Sequence, residues 1–594
     1  MLDIIVDARC WQHADTADRP GAAIALALVT HARACTAVPQ GARLIAIADT
    51  RMPDLPPRYR ALFDGVRHTA YTGALDRPAW LITPEPFAHD PLFTARLLHH
   101  PAVLGAAILA DLPSRSAAPA ARVERALALY WLSCHSIFLA DSERAASQLR
   151  ADLPAAGAAI AIVGNPTRPA DPAEDIARRA WSAIAARHAP RPAPMHAPLI
   201  GGAKPRIALL SPLPPAPGGC SVYSAATSAA LARHVELQLF TPTPTPARPP
   251  GLAPPRPLSA LPLLAPSFDR VIGVMGNSDQ HAGIFDLLLR YGGAVIGHDA
   301  RMLGFYRYLF GDTGAARQAS RELGREVTQD EVLTWAHDES QLDTLYYGEI
   351  ADIAEPLIVH APSSAELIRQ HYGVPVTYLP FAAQHPWTDA QLDAAPRAAA
   401  RARLGIAPDE IAIATFGFIA HDKSPGRLID ALAALHTRGV PATLRFVGAT
   451  LIPLDTLRTQ AAALGVGDHV RFLDTYVTDA AFRAHLLAAD LGIQLRSHDF
   501  GSISGALMDC ATAGLPTVAG RSLATALGTP SYVHAVTDPA DPEQIADAWM
   551  ALLAEGGRNN PRWRDERRAF SEERSFDVYA AQLCAALGIE SAAA

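Results

Sequence analysis

Residues 489–520 read Ala-Asp-Leu-Gly-Ile-Gln-Leu-Arg-Ser-His-Asp-Phe-Gly-Ser-Ile-Ser-Gly-Ala-Leu-Met-Asp-Cys-Ala-Thr-Ala-Gly-Leu-Pro-Thr-Val-Ala-Gly. The apolar run Leu491–Leu495 predicts a buried parallel strand. Gly501, Ser502, Ser504 and Gly505 form a small-residue loop, and Ala506–Ala513 predicts a helix stopped by Gly514 and Pro516. Strand, loop and helix together bring free backbone N–H groups to one helix N-terminus. That is a site for an anion, most naturally a diphosphate. Asp509 follows on the helix, where a carboxylate can accept hydrogen bonds from ribose hydroxyls.

Upstream of this stretch the same alternation runs back to about residue 396. Ile411–Phe416 predicts a strand, and Gly417-Phe418-Ile-Ala-His-Asp-Lys423-Ser-Pro-Gly a loop before a helix over 426–438. A strand over 443–447, a helix over 454–464, a strand over 470–473 and a helix over 479–488 follow. A lysine at a helix start faces an unfavourable dipole, so Lys423 is out of place as a plain surface residue. The last helix, Phe576–Leu587, is expected to return toward the preceding domain.

Residues 205–395 predict a second α/β unit, with strands over 206–211, 270–275, 293–297, 356–360 and 375–379. The loop from Pro212 carries Gly218 and Gly219, which permit close backbone approach where a helix begins near Ser224, beside Tyr223. Asn277 and the run His298-Asp299-Ala-Arg301 follow strand C-terminal ends, where open α/β sheets bind ligands. The charges Arg321, Glu322, Arg325 and Glu326 are expected on a solvated face or an acceptor lid.

Residues 1–165 repeat the alternation with strands over 2–6, 43–48, 79–83, 106–110 and 136–139, and helices over 22–34, 119–133 and 142–151. Asp141 or Ser142 is the expected cap of that last helix. Residues 166–204 read as a linker, a polar helix followed by a stiff Pro-rich spacer.

With 594 residues, several domains are expected, since one core rarely grows past about 250–300 residues. A net charge of −8 argues against general nucleic-acid binding, which needs a basic face. The six cysteines are scattered without a CxxC pair, as for reduced thiols rather than a disulfide framework or zinc site. The first residues carry early acids and read as a strand, not a signal peptide, and no apolar run reaches the ~20 residues of a membrane helix. The expectation is a soluble, cytoplasmic protein, with peripheral contact to the inner face of the cell membrane left open.

The opening stretch resembles the donor-nucleotide segment of retaining GT-B glycosyltransferases, family 4 in particular. There a Glu, seven residues and a second Glu precede a small-residue helix, Gly-x-Pro and a Val-rich strand. Asp509-Cys-Ala-Thr-Ala-Gly-Leu-Pro-Thr-Val is similar to the second half, with Asp for Glu. The first half departs: Gly501 and Ser502 stand where the first carboxylate, which contacts the donor sugar, is expected, and Asp499 is the nearest acid. Lys423 matches a family lysine about six residues after a glycine. Many members also carry an Arg at the position of Gly417, which this chain lacks. His298-Asp299 is similar to the family's strand-end histidine that faces the donor sugar.

The resemblance implies an α/β, GT-B fold: two Rossmann-like domains facing a cleft (205–395 on the acceptor side, 396–594 on the donor side), preceded by a further Rossmann-like domain. It implies a nucleotide-sugar-dependent hexosyltransferase with no cofactor and no obligatory metal. Catalysis falls to His298, Asp299 and Lys423, and donor binding to Gly417, Phe418, Lys423, Arg496, Asp499, Gly501, Ser502, Ser504, Gly505 and Asp509. Gly218, Gly219, Tyr223, Asn277 and Arg301 fall on the acceptor side. The acceptor is a saccharide or a lipid-linked molecule. A catalytically degenerate GT-B-like binding or scaffold protein, or a nucleotide-sugar epimerase, is the alternative.

Overall fold

The computed structural model describes residues 2–68, 77–94, 97–98, 102–110, 112, 125–126, 128–129, 131–153, 159–168, 171–187, 204–497 and 503–589. Three parallel sheets follow one another along the chain. The first holds β1 (Asp3–Asp7), β2 (Arg43–Ile47), β3 (Gly65–Arg67), β4 (Ala79–Thr83), β5 (Val103–Leu109), β6 (Ile137–Ala140) and β7 (Ile160–Ile162). The second holds β8 (Arg206–Leu210), β9 (Glu236–Thr241), β10 (Arg256–Pro257), β11 (Arg270–Met275), β12 (Gly293–Gly297), β13 (Ala354–Val359) and β14 (Val376–Tyr378). The third holds β15 (Ile411–Phe416), β16 (Ala442–Val447), β17 (Val470–Phe472), β18 (Leu491–Gln494), β19 (Thr517–Gly520) and β20 (Val533–Val536).

All three sheets share the order of their first six strands, and the first two carry a seventh at the edge. The orders are β3-β2-β1-β4-β5-β6-β7, β10-β9-β8-β11-β12-β13-β14 and β17-β16-β15-β18-β19-β20. The first strand of each lies inside the sheet, and strand order reverses beside it. The crevice at that reversal, off the strand C-terminal ends, is where such sheets take ligands. Apolar strands such as Ile-Ala-Ile-Ala-Thr-Phe in β15 are buried along nearly their whole length because helices cover both faces.

Helix Ala173–Ala185 corrects the linker reading of residues 166–204. Its Ile176, Ala177, Ala180, Trp181 and Ile184 are buried in the first core, and Trp181 Nε1 donates to Leu28 O at 3.0 Å. The helix is amphipathic, so its charged half reads as polar while its other half packs. Of the helix expected over 119–133, residues 119–124, 127 and 130 lie outside the described residues, as do 188–203 of the spacer.

The first and second units meet through ion pairs. Arg290 reaches Asp90 at 2.6 Å and Asp286 at 2.8 Å, Arg321 reaches Asp54 at 2.9 Å, and Arg51 pairs with Asp286. This revises the reading of the 321–326 charges as a solvated face. Arg321 ties two units together, and Glu322 accepts from Tyr372 Oη at 2.7 Å and Gly348 N at 3.0 Å. Arg325 alone of the two arginines pairs at the surface, with Glu331 and Asp343.

The second and third units share one continuous apolar cluster, running from Ile207 and Tyr223 to Ile413 and Leu583. The C-terminal helix Phe576–Ala586 accounts for this. It returns, as its sequence position predicts, to pack on helix Gly219–Leu231, with Arg233 paired to Asp577. Tyr223 is 2% exposed, stacks on Phe381 and meets Phe576 and Tyr579 edge-on. Two Rossmann-like units facing a cleft, with a third ahead of them, make up the α/β, GT-B architecture.

Candidate active site

At the strand reversal of the third sheet, β15 pairs with β16 on one side and β18 on the other, Ile413 opposite Leu491. Gly417 leaves β15 with a φ of +87°, a conformation that glycine adopts without strain. The loop then turns back so that Lys423 Nζ donates to Phe416 O at 3.0 Å. A Cβ on Gly417 would stand 2.8 Å from that Nζ, so glycine here leaves room for the lysine. Lys423 is pulled down to about 7, chiefly by withdrawal from water, then by the Arg496 charge, with Asp422 acting the other way.

Asp422 ties this loop to the one after β18. Its carboxylate lies 3.3 Å from Arg496 Nη1, and its carbonyl accepts from Ser497 N at 2.6 Å. Ser504 caps helix Gly505–Thr512 by accepting from Leu507 N at 3.1 Å. The helix thus begins one residue ahead of the sequence expectation, with Gly505 inside it. Phe418 is 43% exposed on the loop. Asp499, Gly501 and Ser502 lie outside the described residues.

The second unit presents its own helix N-terminus. Helix Gly219–Leu231 starts five residues ahead of the expected Ser224, because Gly218, at a φ of +115°, already serves as its N-cap. A Cβ on either Gly218 or Gly219 would meet open space. Gln384, on the connection between the two units, donates to Gly219 O at 3.1 Å, and its Oε1 would lie 4.0 Å from a Cβ on Gly505. Two helix N-termini, one from each unit, therefore flank the same residue.

Strand-end residues of the second unit organise the backbone first. Asp299 accepts from Asn277 N at 2.7 Å, Asn277 Oδ1 accepts from Phe305 N at 2.8 Å, and Arg301 donates to Glu339 O at 2.9 Å. His298 packs edge-on to Tyr223 and 5.0 Å from the His360 ring. Burial, with repulsion from His360 and His281, holds it well below the usual imidazole range, and its Nε2 is buried without a partner among the described residues. Tyr223 is a correction to the acceptor-side set: its hydroxyl accepts from Ala382 N at 3.0 Å inside the core, so it supports the junction of the two units.

Asp509 departs from the open ribose acceptor expected of it. It is 3% exposed, and His385 Nδ1 donates to its Oδ1 at 2.8 Å. The other nitrogen of that ring, Nε2, lies 2.6 Å from Asp479 Oδ1. Glu339 is a residue that the sequence hides within a charged run. Burial raises its carboxyl, Arg301 opposes this, and Asp299 together with Asp422 of the third unit pushes it further up. Glu339 and Asp422 thus sense each other from opposite sides of the cleft. Its surroundings come from residues 38 to 83 positions away, Arg301, Asp299 and Asp422, and one-dimensional spacing carries no such signal.

Residues 410–555 match the family model described as Glycosyl transferases group 1. This segment holds Lys423, Arg496, Ser504, Gly505 and Asp509. Among curated relatives, D-inositol 3-phosphate glycosyltransferase of Rhodococcus jostii is 28% identical over 221 residues, which is 36% of this chain and 48% of that protein. GDP-mannose-dependent alpha-(1-6)-phosphatidylinositol monomannoside mannosyltransferase of Mycobacterium tuberculosis is 29% identical over 192 residues, 31% of this chain and 48% of that protein. The chain spans about half the length of these relatives. Among solved structures, sucrose-phosphate synthase from Thermosynechococcus elongatus aligns at 17% identity and a TM-score of 0.45, covering 64% of this chain and 97% of that one. Among the described residues, no helix is long and apolar enough to cross a membrane.

Proposed function

We propose that the protein transfers a hexose from a nucleotide-diphosphate sugar to a saccharide or lipid-linked acceptor, with retention of anomeric configuration. The observation that carries this reading is the gathering of Lys423, Arg496 and the N-terminus of helix Gly505–Thr512 at one strand reversal. All of it lies within the segment matching the family model. Charge develops on the diphosphate as the glycosidic bond breaks, and fixed cations and N–H groups aimed there lower the barrier. Lys423 neutralises the departing diphosphate, Arg496 adds a planar donor, and the helix N-terminus supplies N–H groups. A leaving phosphate oxygen takes the acceptor proton, so no separate base is required. In this reading His298 and Arg301, whose guanidinium donates to Glu339 O, serve the sugar and acceptor side.

The relatives named above favour a nucleotide-hexose donor and an acceptor built on a phosphorylated or lipid-linked polyol. A second reading rests on Asp509, whose carboxylate is already committed to His385: a GT-B-like protein that binds nucleotide without turnover. Titration with UDP-, GDP- and ADP-hexoses, followed for bound nucleotide and for released or transferred sugar, separates the two. Transfer or slow hydrolysis that Lys423→Ala reduces supports the transferase. Binding with no sugar release under any donor supports the second reading, and binding of none removes both.

A further inference from the structure

At the opposite edge of the third sheet lies a cavity of about 620 Å³, enclosed by helices Ala394–Arg403 and Pro561–Glu573. Its wall includes Pro408 and Gly514, which precede β15 and β19, so it sits off the strand N-terminal ends. Strands of four to six residues, at about 3.3 Å each, put roughly 13–20 Å between it and Lys423. It is therefore separate from the donor edge, and its size falls within the range of small-molecule pockets.

Five arginines line it, Arg397, Arg401, Arg558, Arg564 and Arg567, against two carboxylates, Asp389 and Asp393. Asp490, just behind, pairs with Arg397 and with Arg401. Positive charge remains in excess, in a chain whose net charge is −8. The guanidiniums are held rigidly. Arg558 donates to Leu486 O at 2.7 Å, Ala489 O at 2.9 Å and Ala513 O at 2.9 Å. Arg401 donates to Ala488 O at 3.0 Å, and Arg567 donates to Trp387 O at 3.3 Å and pairs with Asp389. Arg397 and Arg401 each keep a buried Nε–H without a partner among the described residues. Burial and repulsion from Arg397 push Arg558 down to about 9, the behaviour of a cation lacking a full share of negative charge. Arg564 stands exposed.

Fixed guanidiniums in excess over carboxylates around a concave space are matched to a phosphate, whose oxygens accept several charge-assisted bonds at once. We propose that this cavity is a second anion site, taking the phosphate of a phosphorylated small molecule or of a phosphorylated headgroup. The inference does not depend on the transferase reading.

The test uses the full chain, with glycerol 3-phosphate as the free probe and phosphatidylglycerol vesicles, against phosphatidylcholine, as the lipid probe. Calorimetry should detect glycerol 3-phosphate binding that weakens at least about tenfold in Arg397→Gln/Arg564→Glu and changes less than about twofold in Lys423→Ala. Since Arg564 is exposed, Arg564→Glu alone decides the matter if the double variant fails to fold, with a loss of at least about threefold expected. Binding to phosphatidylglycerol vesicles that Arg564→Glu removes, without binding of free probe, assigns the phosphate to a lipid. Binding of neither probe, or binding lost in Lys423→Ala and untouched in both arginine variants, overturns the proposal.

Discussion

His385 donates a 2.8 Å hydrogen bond from Nδ1 to the buried Asp509 carboxylate while its Nε2 lies 2.6 Å from Asp479. The ring comes from the connection between the second and third units, and Asp509 from the helix that opens on the candidate donor site. One imidazole between two carboxylates therefore couples that helix to the connection between the units.

Asp509→Asn is expected to destabilise the protein by about 1.5–3 kcal/mol, the worth of a hydrogen bond to a charged group. The pH dependence carries the sign. Asp509 and Asp479 raise His385 above its ordinary value, against the opposing effect of burial. Stability from the pair is thus full below about pH 6.5, the ordinary histidine value, and is lost as pH rises through the higher folded value. Unfolding curves from pH 6 to 8.5 should show a steeper decline for the parent chain than for Asp509→Asn. Parallel declines would remove the coupling.

Lys423, held at about 7, is largely neutral at pH 8 in the free protein. A bound diphosphate favours its charged form, so nucleoside diphosphate binding at pH 8 should take up close to one proton. Calorimetry in two buffers of different ionisation enthalpy measures that uptake, which Lys423→Ala should abolish while weakening affinity roughly ten- to a hundredfold. Uptake that persists in Lys423→Ala would place the titrating group elsewhere.

What could be read from the sequence was what repeats locally. β15 and the helix Asp479–Ala488 fall where periodicity puts them, and the spacing from Gly417 to Lys423 marks a lysine that the fold does bring to a strand end. β3 and β7 are three-residue edge strands with too few apolar positions to show a period. β9 does alternate, Glu-Leu-Gln-Leu-Phe, but the prolines beginning at residue 242 mask its end. The pairing of Asp509 with His385 joins residues 124 apart, and the repulsion between Glu339 and Asp422 acts between the second and third units. Such contacts are products of tertiary geometry.

Glu339 offers a test of the acceptor side. Its carboxyl is raised in part by Asp422 across the cleft, and its carbonyl holds Arg301. Glu339→Gln keeps the carbonyl contact and removes only the charge. Apparent affinity for the acceptor should fall about tenfold, in line with losing one charge-assisted contact, with nucleotide affinity changed by less than about twofold. A loss confined to nucleotide affinity would move Glu339 to the donor side.

The last prediction concerns the first unit. Its described contacts with the second are three ion pairs, Arg290 with Asp90, Arg321 with Asp54 and Arg51 with Asp286, and the packing of the turn Pro91–Thr94 on helix Ala282–Tyr291, and no apolar cluster among the described residues spans the two. Partly exposed pairs contribute about 0–1 kcal/mol each, so their joint loss amounts to about 3 kcal/mol at most. The second and third units, by contrast, share one apolar cluster sealed by the C-terminal helix. A chain beginning at residue 204 should therefore fold, unfold with a Tm lowered by less than about 10 °C, and keep its nucleoside diphosphate affinity. In the full chain, Arg290→Ala/Arg321→Ala should speed proteolysis between the first and second units while leaving nucleotide binding intact. Aggregation of the shortened chain, together with loss of nucleotide binding in the double variant, would show that the first unit completes the site.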